Sequence, residues 1–224
     1  MQTSSSSKPN LSLLFVAVGA ALWGTDALFR RGLALELPAS VVVFWEHLFL
    51  VVLTLPMLVR FWRKRSLLSW KDWVALTFIG VGASAIATMM FTAAFSYGDP
   101  TTPLLLQKLQ PLIAVAGAAL ILGERLLRRY WVYFLLAVGG AYLITFADPL
   151  SVSIGELAPA LLALGAAALW GMGTVLGRLE TRVLDFGSLT AARFAIGLPA
   201  AAVVTAVRGE MPIATGVGMS DLGT

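Results

Sequence analysis

Five ionisable side chains fall inside segments that are otherwise apolar: Asp26, Glu46, His47, Lys108 and Arg193. A charge is costly in the hydrocarbon of a membrane, so such groups face the interior of a helical bundle or a water-filled cavity, and they usually pair. His47 is the only histidine, and imidazole is the side chain that titrates nearest to neutral pH. These residue types therefore predict ion pairing, substrate binding or proton binding within a membrane.

A polar cluster interrupts the most informative apolar segment. Leu104–Leu122 has 19 residues, and at about 1.5 Å per residue it forms a helix of about 28 Å, close to the thickness of a bilayer's hydrocarbon core. Its first part carries Gln107, Lys108 and Gln110, followed by Pro111, which has no backbone donor. Gln107 and Gln110 lie three residues apart and share a helix face. We expect these polar groups to face protein or a water-filled cavity.

The composition excludes several classes of function. Charged residues make up 12% of the chain and hydrophobic residues 58%, against about 25% charged in soluble domains. The net charge of +4 comes from loops between apolar segments, so no basic face is present to bind nucleic acid. No cysteine is available for disulfides, and no metal-ligand spacing or serine–histidine pattern points to an enzyme. We predict no cofactor and no metal.

Seven apolar segments are long enough for membrane helices, joined by short connections with turn residues such as Pro38, Pro103 and Pro149. Small residues, among them Gly80, Gly117 and the pair Gly139–Gly140, predict close packing between helices. The predicted spans are Leu11–Phe29, Ala39–Val59, Trp73–Ser96, Leu104–Leu122, Trp131–Phe146, Leu157–Leu176 and Phe186–Val207. The fold is therefore predicted to be an all-α, polytopic transmembrane helical bundle after a disordered, serine-rich tail at residues 1–10.

The positive charges predict the orientation in the membrane. With a cytoplasmic N-terminus, eleven arginines and lysines fall in inner segments and three in outer ones, namely Arg30, Arg31 and Arg208. Positive residues are enriched on the cytoplasmic side of membrane proteins. We therefore predict a multi-pass protein of the cell membrane, the cytoplasmic membrane of a bacterium, with its N-terminus in the cytoplasm.

An internal repeat relates the two ends of the chain. The pentapeptide Ala20–Gly24 recurs as Ala167–Gly171, at an offset of 147 residues, and at the same offset Glu46 corresponds to Arg193. Five predicted spans separate the copies, and because five is odd the second copy enters the membrane from the other side. This is the inverted-repeat pattern of secondary transporters, whose substrate site lies between the halves near the midplane.

In the outer half of the membrane we predict a substrate cavity that faces outward, with Trp23 and Gly24 at its base. Two alternatives stay open: Asp26 could pair only with Arg30 one turn on, and Lys108 could extend to the membrane surface. The candidate substrate-binding residues are Trp23, Gly24, Asp26, Glu46, His47, Gln107, Lys108, Gln110, Pro111, Trp170 and Arg193.

The sequence resembles the EamA-type transporters of the drug/metabolite transporter superfamily. The resemblance rests on the Trp-Gly of the first span, on Pro111, on Leu-Gly-Glu-Arg-Leu at 122–126 and on Gly139–Gly140. It implies two inverted five-helix repeats: a first at 11–148 and a partial second, of two helices, at 149–224, which is about seven of the usual ten helices. Glu46–His47 stands where the family often has arginine, and 219–223 resembles the lead-in to an eighth helix, so we expect a C-terminally truncated chain.

The implied function is a secondary transporter that exports small metabolites, amino acids or drugs by alternating access. Protons would couple to transport through Glu46 or Asp26. The expected partners are a small-molecule substrate and the lipid bilayer, with a homodimer as a further possibility. The alternative is a membrane scaffold that does not transport, or an inactive truncated fragment.

Overall fold

The computed structural model describes residues 11–97, 100–146, 148, 150 and 153–210. The tail predicted at 1–10 and the segment 219–223 lie outside these residues. Of the residues described, 86% are helical, and no strand occurs among them. The predicted all-helical class is therefore confirmed.

Helix α1 runs from Leu11 to Glu36, seven residues beyond the predicted end of the first span. Arg30 and Arg31 therefore lie inside a helix and not in an outer loop. The residues from 13 to 25 are exposed, whereas Arg30 and Ala34 are buried. Only the second half of α1 thus packs against the bundle, mainly on the segment Ala87–Phe95.

The second predicted span is bent. Helix α2 covers Ala39–Leu53 and helix α3 covers Leu55–Lys64, at 75° to each other. The Thr54 hydroxyl donates to the Leu50 carbonyl at 2.6 Å, and Pro56 in the first turn of α3 has no N–H to continue the helical ladder. A short 3₁₀ turn at Arg65–Leu67 follows. The predicted span, Ala39–Val59, therefore contains a bend at Thr54 that the sequence did not indicate.

Helix α4 spans Trp70–Phe95 and contains a π-helical segment, Phe78–Ile86, at its centre. It begins with a capping box in which the Ser69 and Asp72 side chains each bond the other's backbone N–H. A π-helix widens the turn and often occurs at functional sites. Here it carries Ser84 into the middle of the bundle, where that side chain is buried.

Helix α5 spans Thr101–Leu122 and is broken between Gln107 and Gln110. Pro111 cannot donate to the carbonyl four residues earlier, so the helix restarts at Gln110. Helix α6 covers Arg128–Thr145 and has no buried residue. It packs mainly on the first half of α5, and no described residue of another segment lies within 4 Å of a Cβ built on Gly139 or Gly140. The close helix contact predicted there is wrong.

Helices α7, Ile154–Glu180, and α8, Phe186–Val207, complete the described chain. Both start at side-chain caps, Ser153 and Asp185, as sequence rules for helix starts require. The bounds of α8 are those predicted, and α7 is longer than its predicted span at both ends. Helix α7 packs on both α4 and α5.

Within the described part of the chain, five helices are long and apolar enough to cross a membrane: α1, α4, α5, α7 and α8. The bent pair of α2 and α3 makes a sixth if it is counted as one span. Helix α6 falls outside this set, since two arginines open its 18 residues. The chain is a polytopic membrane protein built as a helical bundle.

Helices α2, α4 and α8 cross at one tightly packed point. A Cβ built on Gly197 of α8 would lie 2.7 Å from Cδ2 of His47 and 2.9 Å from the Gly80 carbonyl oxygen. A Cβ on Gly80 would lie 2.6 Å from Cβ of Ile196. Small residues let these backbones approach, so the prediction for Gly80 is confirmed. This crossing fixes α2 and α8 on either side of α4.

Candidate functional site

A cavity of about 910 Å³ lies between α1, α2, α4, α7 and α8. Its volume is within the range of small-molecule pockets, about 300–1,000 Å³. Trp23 and Trp170, which correspond in the internal repeat, both line it, and so do Glu46 and Arg193. The two segments related by the repeat therefore contribute matching positions to one cavity.

A cluster centred on Arg30 forms one wall of the cavity. The guanidinium donates to both carboxylate oxygens of Asp26, at 2.7 and 3.0 Å, to Oε1 of Glu46 at 2.7 Å and to the Thr92 hydroxyl at 2.6 Å. Arg30 is only 8% exposed, and these partners satisfy its charge. We call Asp26, Arg30, Glu46 and Thr92 the Arg30 cluster. It ties α1 to α2 and α4 and carries two negative charges against one positive charge.

His47 is held by hydrogen bonds at both ring nitrogens. Nδ1 lies 2.9 Å from the Val43 carbonyl oxygen, and Nε2 lies 3.0 Å from the Ser84 hydroxyl. A carbonyl oxygen only accepts, so Nδ1 carries a proton, and Nε2 of the neutral ring accepts from Ser84. The ring is 2% exposed and stands edge-on to Phe194. His47 thus positions α2 against α4, although part of it borders the cavity.

Arg193 of α8 stands on another side of the cavity. Its Nε is buried without a hydrogen-bond partner, and its guanidinium carbon lies 5.3 Å from the ring centroid of Phe194. Among the described residues it forms no ion pair. The cavity therefore has two poles of opposite charge, the Arg30 cluster and Arg193.

Aromatic rings line the cavity between these poles. Phe91 packs at 5.1 Å, centroid to centroid, against Trp170, and the Arg30 guanidinium lies 5.9 Å from the Phe91 centroid. Trp23 and Phe194 add two further rings. Rings of this kind offer flat apolar surface to a planar ligand.

The cavity reaches the surface at the end of the bundle that carries Arg178, Thr181 and Phe186. We call it the arginine-rich end. Phe186 is 78% exposed there, and Arg178 bonds Oε1 of Glu124 at 2.6 Å. The same positive charges predicted this end to be the inner one. The cavity opens toward the arginine-rich end, and the Arg30 cluster lies deep within it. The outward-facing cavity stays a prediction, because it depends on the orientation of the chain in the membrane.

The structure brings together seven of the eleven candidate residues and leaves four apart. The seven that line the cavity are Trp23, Asp26, Glu46, His47, Gln110, Trp170 and Arg193. Gly24 faces away from it on an exposed face of α1. Gln107 is buried outside the cavity, Lys108 is exposed at the break in α5, and Pro111 is exposed just after it. The break explains this, because Leu106 and Leu109 pack on α7 and turn the polar groups between them elsewhere.

Sequence reasoning did not select several residues that line the cavity. Ser84 and Thr88 lie four residues apart on α4, as do Thr190 and Phe194 on α8, and that spacing is the only signal they give. The sequence suggested Arg30 only as a partner of Asp26 at the membrane interface. In the structure its bonds to Glu46 and Thr92 join three helices. The extension of α1 beyond residue 29 made that possible.

A membrane-embedded helical bundle with a polar, aromatic-lined cavity at its centre is the construction of a membrane transporter. The chain belongs to the EamA-like transporter family, whose model matches residues 10–146. It is 33% identical over 193 residues to the riboflavin transporter ImpX of Fusobacterium nucleatum subsp. nucleatum. That match covers 81% of this chain and 62% of ImpX, so the chain spans less than two thirds of that relative. No solved structure matches.

Proposed function

We propose that the protein is a secondary transporter for a planar, polar heteroaromatic molecule of the riboflavin class, which it moves by alternating access. The observation that carries this proposal is the cavity of about 910 Å³ with aromatic walls and two charged poles. Trp23, Phe91 and Trp170 offer surfaces on which a tricyclic ring could stack. The name of the relative ImpX points to the same substrate class.

The proposed orientation places the arginine-rich end in the cytoplasm. Because Arg30 and Arg31 lie within α1, they no longer count as loop charges on the opposite side, and the positive bias becomes stronger. The cavity would then be open to the cytoplasm in this conformation. The Arg30 cluster would separate it from the outside.

Alternating access then requires the Arg30 cluster to open. Arg30 would leave Glu46 and Thr92, which lie on other helices, while Asp26 moves with it because the two are four residues apart on α1. The cation thus keeps one partner throughout, which lowers the cost of opening. Protonation of Glu46 would remove the attraction between α1 and α2, and this is the proposed route of proton coupling. As in any secondary transporter, the gradients of substrate and protons set the direction of transport. When substrate is exchanged for protons, export is the direction in which protons enter the cell.

Amino acids are a second candidate class, because a zwitterion would place its ammonium group at the Arg30 cluster and its carboxylate at Arg193. A scaffold that does not transport is the remaining alternative.

A homodimer also stays a prediction, and light scattering in detergent would test it.

The test uses the purified 224-residue chain in liposomes loaded with riboflavin, whose fluorescence reports efflux, with and without an imposed pH gradient. We expect protein-dependent flux that the gradient changes, and a loss of that dependence in Glu46→Gln. Competition by an amino-acid panel separates the two substrate classes. Absence of riboflavin flux, with flux of an amino acid, would contradict the flavin proposal, and absence of all flux would favour the scaffold.

A further inference from the structure

We propose that Arg193 anchors the substrate through two parallel hydrogen bonds from its guanidinium to two adjacent acceptor atoms on one edge of a planar ring. This inference rests on the proposed function and specifies how its cavity would recognise a flavin. It assigns Arg193 the role of the residue that decides specificity.

Arg193 differs from the other arginines of the cavity in what it binds. Arg30 donates to three side chains, and Arg178 is paired with Glu124. Arg193 has neither an ion pair nor a hydrogen bond among the described residues, and its Nε is enclosed. A guanidinium with several unmet donors in a cavity requires acceptors, and a ligand can supply them.

The neighbouring protein groups are already committed to other contacts. Both ring nitrogens of His47 are bonded, to Val43 and Ser84. Phe194 presents its ring to the cation and offers no lone pair. The two carboxylates of the Arg30 cluster are bound to Arg30 itself. The N–H groups of Arg193 are therefore available to a ligand in the cavity.

The planar shape of the Arg193 guanidinium limits which ligands it can bind. Because Nε is enclosed, the two terminal amino groups of the guanidinium remain for a ligand, and their parallel N–H groups form a fork that matches two acceptors in one plane. The ring system of riboflavin has two such edges: N1 beside O2, and N5 beside O4. A lysine in the same place would keep the positive charge and lose the fork.

The experiment combines protein variants with ligand analogues. The quenching of ligand fluorescence in detergent measures the Kd of riboflavin, 1-deazariboflavin and 5-deazariboflavin, each analogue lacking one ring-nitrogen acceptor. The proteins are wild type, Arg193→Lys, Arg193→Gln and the control Arg182→Lys, which changes an exposed arginine outside the cavity. Size-exclusion profiles check that each variant is folded.

We expect wild type and Arg182→Lys to bind riboflavin at least about tenfold more tightly than one of the two deaza analogues, since a hydrogen bond to a charged group is worth that much. Arg193→Lys should bind riboflavin about tenfold more weakly and should no longer distinguish it from that analogue. If Arg193→Lys distinguishes riboflavin from the deaza analogue as strongly as wild type does, the inference is overturned and the proposed function stays intact. If wild type binds no riboflavin but binds tryptophan in a manner that Arg193→Lys weakens, the flavin proposal fails and so does the contact with a ring edge, since indole has no pair of acceptors.

Discussion

Arg30 on α1 and Glu46 on α2 are joined by a 2.7 Å bond between Nη2 and Oε1, in a wall of the central cavity. The two residues are 16 positions apart in sequence and lie on either side of the turn between α1 and α2. The same guanidinium also reaches Thr92 on α4. One side chain thus holds three helices together at the place where the cavity ends. The proposed transport path requires these helices to separate.

The charges of the Arg30 cluster predict unequal effects of two substitutions. Arg30→Gln leaves Asp26 and Glu46 close together without a cation, and removing one partner of a buried ion pair costs about 3–5 kcal/mol. Glu46→Gln leaves Arg30 paired with Asp26, and we expect a loss of about 1 kcal/mol, one ordinary hydrogen bond. Thermal unfolding in detergent measures both. Equal loss of stability in the two variants would show that Asp26 does not support Arg30.

The crossing of α2, α4 and α8 predicts that Gly197 does not tolerate a side chain. In Gly197→Ala the new methyl group would lie 2.7 Å from the His47 ring and 2.9 Å from a backbone carbonyl, and overpacking of this kind costs about 1–3 kcal/mol. Gly139→Ala on α6 is the matched control, because nothing lies within 4 Å of the added group. The control should gain stability, by about 0.5–1 kcal/mol. A stable Gly197→Ala protein would mean that α8 packs less closely than described.

Asp185 predicts a dependence of stability on acid pH. Hydrogen bonds from the side chain and backbone of Ser188, with help from Lys64, hold the pKa of this carboxyl well below its ordinary value of 3.8. A lowered pKa in the folded state means that the carboxylate stabilises the fold at pH values above 3.8, and that this contribution fades as the pH falls toward the folded value. Asp185→Ala, which also removes the cap of α8, should cost about 1 kcal/mol at pH 7.

The measurement for Asp185 is the difference in melting temperature between wild type and Asp185→Ala at pH 7, 4.5 and 3. We expect the difference to persist at pH 4.5 and to shrink at pH 3. A difference that is constant over this range would indicate that the carboxylate charge has no role at the start of α8.

The sequence was sufficient to predict the class of fold and seven of the 25 residues that line the cavity. Hydropathy and length predict α8 to the residue, and isolated charges in apolar segments indicate Asp26, Glu46 and Arg193. Prolines cause the bend at Thr54 and the break at Lys108. The effect of a proline on helix direction leaves no periodic pattern in the sequence, so neither feature was predicted. The break at Lys108 decides that Gln107 and Lys108 lie outside the cavity. The direction in which the cavity opens depends on tertiary packing, which a single sequence does not show.

The central claim is that the cavity opens to the cytoplasm and binds a flavin there, and a single introduced cysteine tests it most directly. The sequence has no cysteine, so Thr190→Cys, in the cavity wall, would be the only thiol. Ser96→Cys, exposed at the opposite end of the bundle, is the control. Membrane-impermeant maleimide should label Ser96→Cys from outside intact cells and Thr190→Cys only in inside-out vesicles, where riboflavin should slow the reaction. Labelling of Thr190→Cys only from the outside, or a rate that riboflavin does not change, would contradict the account.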